Sequence, residues 1–283
     1  KFTAAYSAAP NCAPSRACLM SGLYTPRHGV YTVGDPARGN DRYRKLIPAE
    51  NNRVLDDRFT TIADRLSQAG YRCASVGKWH LGQSPLSQGF QVNIAGNQTG
   101  SPRGGYFSPY QNPQLSDGEQ GEYLTDRLTT EACQFIKDSQ SSPFFLYLTH
   151  YAVHTPLQAK KEDIAHFQSK PAGKLHQHAT YAAMIRSIDQ SIGRVLQTLR
   201  EQQLDQNTII VFTSDNGGYG PATSMLPLRG SKGMLYEGGI RVPLLIKWPG
   251  VTQPGSTTGE AVINVDLYPT FLEMTNIPVL ESE

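Results

Sequence analysis

The chain has 283 residues, which is enough for one large α/β domain or two smaller ones. Apolar residues make up 39% of it, and 26 glycines and 19 prolines are typical of a globular protein with many loops. The formal net charge is +2, with no run of basic residues and no apolar stretch long enough to span a bilayer. These properties argue against nucleic-acid and membrane partners.

The elements are predicted from hydrophobic periodicity and from Gly and Pro positions. In chain order they are a helix over 12–21, a long loop region over 24–58, a helix from Thr60 or Thr61 to Gly70, a strand over 71–76, a loop region over 83–121, a helix over 124–136, a buried strand over 144–148, a helix over 174–202, strands over 208–212, 242–248 and 261–265, and a short helix over 266–274. On the longest helix, the predicted buried face carries Tyr181, Ile185, Ile188, Ile192, Val195, Leu196 and Leu199.

The first helix is predicted from its end signals. Pro14 fits the first turn, where its missing N–H is no loss, and Gly22 fits the residue just past the end. Cys12 then lies beside the positive end of the helix dipole, and Arg16 follows one turn later on the same face. Such a place suits an anion, although a buried cysteine and an exposed arginine on an ordinary helix explain this stretch equally well.

Strands that alternate with helices predict an α/β fold, with a central, largely parallel (mixed) sheet sandwiched between helices. Ligands of such sheets bind beyond the carboxyl ends of the strands. Three predicted strands end there in polar groups: Lys78 and His80 after the first, His154 after the second, and Asp215 with Asn216 after the third. This coincidence predicts a single site.

Each of these groups has a plainer interpretation when taken alone. Asp215 and Asn216 offer oxygen ligands to a hard cation, but Asp-Asn-Gly is also common in turns. Lys78 and Lys232 are ordinary surface lysines by default, and His154 is more often a structural histidine than a general acid. Taken together with Cys12 and Arg16, the same groups favour a catalytic site.

Four motifs, in order along the chain, carry a family resemblance. The first is Cys12-x-Pro14-Ser15-Arg16, which closes with Ser21-Gly22, and the second is Gly70-Tyr71 followed by Gly77–Gly82. The third is Thr213–Gly218. The fourth consists of Arg229–Lys232, Glu237–Gly239 and Arg241–Pro243. The chain resembles a type I sulfatase of the alkaline phosphatase superfamily, with Ser21 where Thr is usual. The resemblance implies a single catalytic domain over 1–283 that hydrolyses sulfate esters, of a sulfated carbohydrate or an aryl sulfate.

In that family a maturation enzyme oxidises the signature cysteine, here Cys12, to formylglycine. One hydroxyl of its hydrate attacks sulfur, and the second lets the resulting ester expel sulfate. The resemblance implies that Arg16 orients the nucleophile, Asp215 and Asn216 bind Ca²⁺ or Mg²⁺, Lys78 and Lys232 bind sulfate oxygens, His154 protonates the leaving oxygen, and His80 deprotonates the second hydroxyl.

One departure from the family stands out. Its members place two adjacent Asp residues in a first strand before the signature cysteine, whereas the eleven residues before Cys12 contain no acid. We therefore expect a chain that lacks this strand, half of the metal ligands and most of the C-terminal subdomain, with weak metal binding and little activity. The alternatives are a phosphonate or phosphate ester hydrolase and an inactive sulfatase-like fragment. A periplasmic or extracellular location follows from family habit alone.

Overall fold

The computed structural model describes residues 1–279. Its strands are β1 (Phe2–Tyr6), β2 (Arg72–Gly77), β3 (Val92–Ile94), β4 (Phe144–Thr149), β5 (Ile210–Thr213), β6 (Leu244–Lys247) and β7 (Thr258–Ile263). Its α-helices are α1 (Cys12–Ser21), α2 (Thr25–His28), α3 (Ile62–Gln68), α4 (Leu124–Lys137), α5 (Lys161–Gln168), α6 (Ala179–Glu201), α7 (Glu237–Ile240) and α8 (Leu267–Met274). None of these helices is long and apolar enough to cross a membrane.

The strands form two sheets of three and four strands. In the first, with the order β3-β2-β4, β2 pairs in parallel with both neighbours. In the second, with the order β5-β6-β1-β7, β1 is parallel to β7, while β6 runs antiparallel to β1 and β5. The predicted α/β class with mixed pairing is confirmed, although the strands are divided between two sheets.

Alternation along β2 shows how helices cover both faces of the three-stranded sheet. Cys73 packs into a core with α1, α3 and α8, whereas Ala74 and Val76 pack into a second core with α4 and α6. Successive side chains of a strand point to opposite faces, so one strand serves two cores. The predicted arrangement of a sheet between helices is therefore confirmed.

The four-residue helices α2 and α7 were not predicted, and β1, β3 and α5 were missed because their sequences carry weak patterns. β1 is a run of Phe, Thr, Ala and Tyr, and pairing with β7 and β6 holds it in place. β3 has only three residues and follows β2 in parallel register from Val92 to Ile94. α5 begins with lysines and acids, and it packs on α6 through few apolar residues.

The predicted helix over 174–202 was wrong at its start and, on its buried face, at Ile185, whereas Tyr181 and Leu199 of that face are buried as predicted. α6 begins at Ala179 because His178 Nδ1 accepts a hydrogen bond from the backbone N–H of Tyr181 and caps the helix. Its buried side also includes small and hydroxyl residues that the prediction left out, such as Ser187 and Ser191, whereas Ile185 is half exposed. Small side chains let α6 approach α4 closely, which apolar periodicity does not reveal.

Candidate active site

The amino end of α1 forms the centre of the site. Cys12 is the first helical residue and is 3% exposed, and Pro14 lies in the first turn. Gly22 ends the helix in the left-handed region at φ +68°, and a Cβ there would lie 2.8 Å from the Tyr268 ring. The sequence prediction for this helix is confirmed. The helix dipole therefore points its positive end at the Cys12 region.

A buried polar network fixes this helix end to two neighbouring segments. Ser7 Oγ lies 2.8 Å from both Ser15 Oγ and the carbonyl oxygen of Asp215. Asn264 Nδ2 donates to the Ser15 carbonyl oxygen and to Ser15 Oγ, both at 3.0 Å. Sequence reasoning missed Ser7 and Asn264, because neither lies in the matched motifs. Their hydrogen bonds hold the first turn of α1 beside the Asp215 loop.

Arg16 connects three segments of the site. Its Nε donates to Asp215 Oδ2 at 3.0 Å, and its Nη1 donates to the Lys78 carbonyl oxygen at 2.7 Å. Burial works to raise the pKa of Asp215, but Arg16, Lys78 and Lys232 outweigh it and lower that pKa to about 2. The carboxylate is therefore ionised at neutral pH. Tyr147 of β4, which sequence reasoning also missed, places its hydroxyl near the same guanidinium.

Lys78 is positioned by the close approach of β2 to β4. Gly77 has φ +107°, and a Cβ there would lie 2.0 Å from the Thr149 carbonyl oxygen, so only glycine fits. The Lys78 N–H donates to that same oxygen at 2.7 Å. Lys78 is only 3% exposed, and burial together with the charge of Arg16 lowers its pKa. A buried ammonium of this kind favours an anionic partner.

Lys232 reaches the site through glycine contacts between loops. Its backbone N–H donates to the Gly218 carbonyl oxygen at 3.0 Å. A Cβ on Gly217 would lie 1.9 Å from the Gly238 carbonyl oxygen, and one on Gly239 would lie 1.9 Å from the Met234 carbonyl oxygen. These loops therefore pack backbone against backbone, which brings the Lys232 charge close enough to act on Asp215.

His80 and His154 lie in the same cationic environment. Burial, then the charge of Lys78, lowers the pKa of His154 to about 4 and that of His80 to about 3. Both rings are therefore neutral at pH 7. His154 Nδ1 lies 2.9 Å from the Thr155 carbonyl oxygen, a geometry that assigns the proton to Nδ1 and leaves Nε2 as an acceptor. His80 Nδ1 is buried without a hydrogen-bond partner, and the ring packs on Gly100.

The eight predicted site residues are thus brought together. Arg16, Lys78 and Lys232 all lower the pKa of Asp215, and Lys78 and Asp215 both act on the pKa of each histidine. Cys12 lies close enough to interact with Arg16 and Lys78. Asn216 follows Asp215 in the chain. Their individual catalytic roles remain predictions.

Asp215 and Asn216 have the chemistry of hard-cation ligands. Asn216 Oδ1 is a buried acceptor with no hydrogen-bond partner, and Nδ2 is held by the Gly217 carbonyl oxygen at 2.9 Å. An orphaned oxygen beside an ionised carboxylate fits Ca²⁺ or Mg²⁺. Within residues 1–279, however, no group of three or more His, Cys, Asp or Glu side chains could hold a metal. The described residues thus supply two oxygen ligands.

Comparison with known proteins identifies the family. Residues 1–277 match the family model described as Sulfatase. A protein described as a sulfatase, from Formosa agariphila, is 33% identical over 93% of this chain and 59% of its own. N-acetylgalactosamine-6-sulfatase of Homo sapiens is 33% identical over 96% of this chain and 54% of its own. The crystal structure of Ps i-CgsB in complex with k-i-k-neocarrahexaose is 33% identical, with TM-score 0.81, over 99% of this chain and 65% of that one.

The chain therefore belongs to the sulfatase family, as its motifs predicted. It spans between 54% and 65% of the length of these three relatives.

Proposed function

We propose that this chain carries the catalytic centre of a sulfatase that hydrolyses a sulfate ester of a carbohydrate. The observation that carries the proposal is the convergence of three cations, Arg16, Lys78 and Lys232, on the helix end that holds Cys12. A sulfate ester has one negative charge spread over its free oxygens. Buried cations aimed at those oxygens stabilise the charge that moves to the leaving oxygen in the transition state.

The residues of the chain divide the chemistry as follows. Lys78 and Lys232 bind sulfate oxygens as point charges, and Arg16 holds Asp215 ionised and in place. His154 gives a proton to the leaving oxygen, since a bound sulfate anion raises the pKa that burial and Lys78 lower. In the release step, His80 accepts a proton from the side chain at position 12.

Two groups complete this site when they are present. Formylglycine, formed from Cys12 by a maturation enzyme, supplies a hydrated aldehyde whose hydroxyl is the nucleophile. The position of Cys12 fits it, because the helix end and the charges of Arg16 and Lys78 favour a negative oxygen there. Asp215 and Asn216 would hold Ca²⁺ or Mg²⁺, which supplies further positive charge for sulfate and nucleophile oxygens.

The carbohydrate part of the proposal is supported by the relatives. One is an N-acetylgalactosamine-6-sulfatase by name, and another binds k-i-k-neocarrahexaose in its crystal structure. We also propose a periplasmic or extracellular location, which cell fractionation would test.

The activity is tested with the protein co-expressed with a formylglycine-generating enzyme. We expect hydrolysis of an aryl sulfate to exceed that of the matching aryl phosphonate, and Cys12→Ala to abolish it. Faster phosphonate turnover would replace the proposal with the phosphonate hydrolase alternative. No turnover of either ester by protein with modified Cys12 would favour an inactive sulfatase-like chain.

A further inference from the structure

A groove of about 600 Å³ lies beside the site, between residues 174–178 and residues 220–224. We call it the 174/224 groove. Its polar lining comes from both sides and consists of Lys174, Gln177, His178, Thr223 and Ser224. None of its lining residues, all of which lie in the described part of the chain, is acidic. The groove is thus a wide polar cleft that carries positive charge and hydrogen-bonding groups.

The groove wall formed by 220–224 continues directly from the candidate metal loop. A Cβ on Gly218 would lie 2.6 Å from Thr223 Cγ2, and one on Gly220 would lie 2.9 Å from Ser231 Oγ. Ser231 precedes Lys232, whose N–H bonds to Gly218. The groove wall therefore packs on the two loops that carry the candidate metal ligands and the sulfate-binding lysine.

The opposite wall is fixed to the same loop by hydrogen bonds. His176 Nδ1 lies 3.1 Å from Thr223 Oγ1. The Tyr181 hydroxyl is hydrogen-bonded to the backbone of Tyr219, and the N–H of Tyr181 donates to His178 Nδ1 at 3.3 Å. Both walls are thus held at a set separation before any ligand arrives, which lowers the entropy cost of binding.

The lining chemistry selects an anionic, hydroxyl-rich ligand. Lys174 is exposed at the groove and is a compact point charge suited to a sulfate or carboxylate group. The hydroxyls of Thr223 and Ser224 and the amide of Gln177 suit sugar hydroxyls. A ligand made only of apolar surface would leave these groups unpaired.

We propose that the 174/224 groove binds the neighbouring sugar unit of an anionic oligosaccharide, with a sulfate or carboxylate of that unit at Lys174. The inference rests on the proposed function, because the sulfated unit beside it occupies the Cys12 site. Lys174 then determines specificity, favouring an anionic oligomer over a single sugar, without acting on the reacting atoms.

Two Lys174 variants test this assignment, with Lys137→Glu as the matched control on an exposed position of α4. The substrates are a sulfated carrageenan hexasaccharide, a sulfated chondroitin hexasaccharide and an aryl sulfate. We expect Lys174→Gln to lower kcat/KM about tenfold for whichever hexasaccharide is cleaved, as for one lost charge-assisted hydrogen bond. Lys174→Glu should lower it further. For the aryl sulfate, kcat/KM should be unchanged in both Lys174 variants. Lys137→Glu should leave kcat/KM unchanged for all of the substrates.

A binding experiment separates this inference from the catalytic proposal. The Cys12→Ala protein is titrated calorimetrically with both hexasaccharides, with and without Lys174→Gln. We expect the Cys12→Ala protein to bind one of the two hexasaccharides about tenfold more tightly than the protein that carries both Cys12→Ala and Lys174→Gln. This result does not depend on whether the enzyme with formylglycine is active. Equal affinities, or no binding by the Cys12→Ala protein, would overturn the groove assignment. If the enzyme with modified Cys12 does not hydrolyse an aryl sulfate while the Cys12→Ala protein still binds a hexasaccharide through Lys174, the proposed function alone is overturned.

Discussion

Arg16 Nε donates to Asp215 Oδ2 at 3.0 Å, and this bond joins the second turn of α1 to the loop after β5. The same guanidinium donates to the carbonyl oxygen of Lys78, which follows β2. One side chain therefore ties the four-stranded sheet, the three-stranded sheet and the helix that begins with Cys12. The relative position of these three parts of the site therefore depends on Arg16.

Replacing Arg16 tests that structural role. We expect Arg16→Gln to lower the free energy of unfolding by about 3 kcal/mol, because the Asp215 carboxylate loses its ion-pair partner. Urea unfolding measures the effect. Arg58→Gln is the control, since Arg58 is 69% exposed and 4.0 Å from Asp56, and should cost under about 1 kcal/mol. If the two variants lose equal amounts of unfolding free energy, the structural role of Arg16 in the site is contradicted.

Gly217 is expected to be intolerant of a side chain. A Cβ there would lie 1.9 Å from the Gly238 carbonyl oxygen, so Gly217→Ala must push the 238 loop away and displace Lys232. We expect kcat/KM for an aryl sulfate to fall at least about tenfold, as for one lost sulfate contact. Gly193→Ala is the matched control, because a Cβ there has no neighbour within 4 Å. On helix α6 that change should stabilise the fold by about 0.5–1 kcal/mol.

Asn216 gives a test of metal binding that does not depend on activity. Its Oδ1 is buried and unpaired, while its Nδ2 donates one hydrogen bond to the Gly217 carbonyl oxygen, so in chelator the two effects of Asn216→Ala offset each other and the melting temperature should change little. Ca²⁺ should raise the melting temperature of the parent but not of this variant. Asn264→Ala, which removes satisfied hydrogen bonds, should lower stability equally with and without Ca²⁺. A full Ca²⁺ response in Asn216→Ala would exclude it as a ligand.

The buried His28 and the partly buried His150, both away from the reacting groups, predict acid sensitivity. Burial lowers the pKa of His28 and that of His150 to about 4 each, from an ordinary 6.5. The unfolded chain therefore binds more protons between pH 6.5 and 4, and stability falls as pH falls through that window. Each histidine contributes a slope of about 1.4 kcal/mol per pH unit there. Urea unfolding of His150→Gln should show a flatter dependence, and an unchanged slope would contradict the assignment.

The sequence allowed prediction of the end of α1 and of the residues that follow strands, because glycine and polar groups mark those positions. Gly22, Gly77 and Gly217 lie where the backbone is left-handed or where another loop approaches closely, and only glycine fits there. The supporting contacts were not predictable. Ser7 and Asn264 act through partners far along the chain, and no local pattern marks them.

Periodicity failed where packing used small polar residues. The apolar positions of α6 indicated a face through Ile185, yet Ser191 lies inside, bonded to Thr129 and His150. Hydroxyl groups that satisfy one another can occupy a core that an apolar pattern would assign to larger residues. β1 and β3 were missed for a related reason, since long-range pairing rather than local sequence fixes short strands.

The central claim is that Cys12, once converted to formylglycine, provides the nucleophile for sulfate ester hydrolysis. The most direct measurement compares aryl sulfate turnover with the aldehyde fraction of the Cys12 peptide, read by mass spectrometry across preparations made with graded amounts of the maturation enzyme. We expect turnover to rise in proportion to that fraction and to vanish when the thiol is unmodified. Turnover that is independent of the aldehyde fraction, or that persists in Cys12→Ala, would contradict the claim.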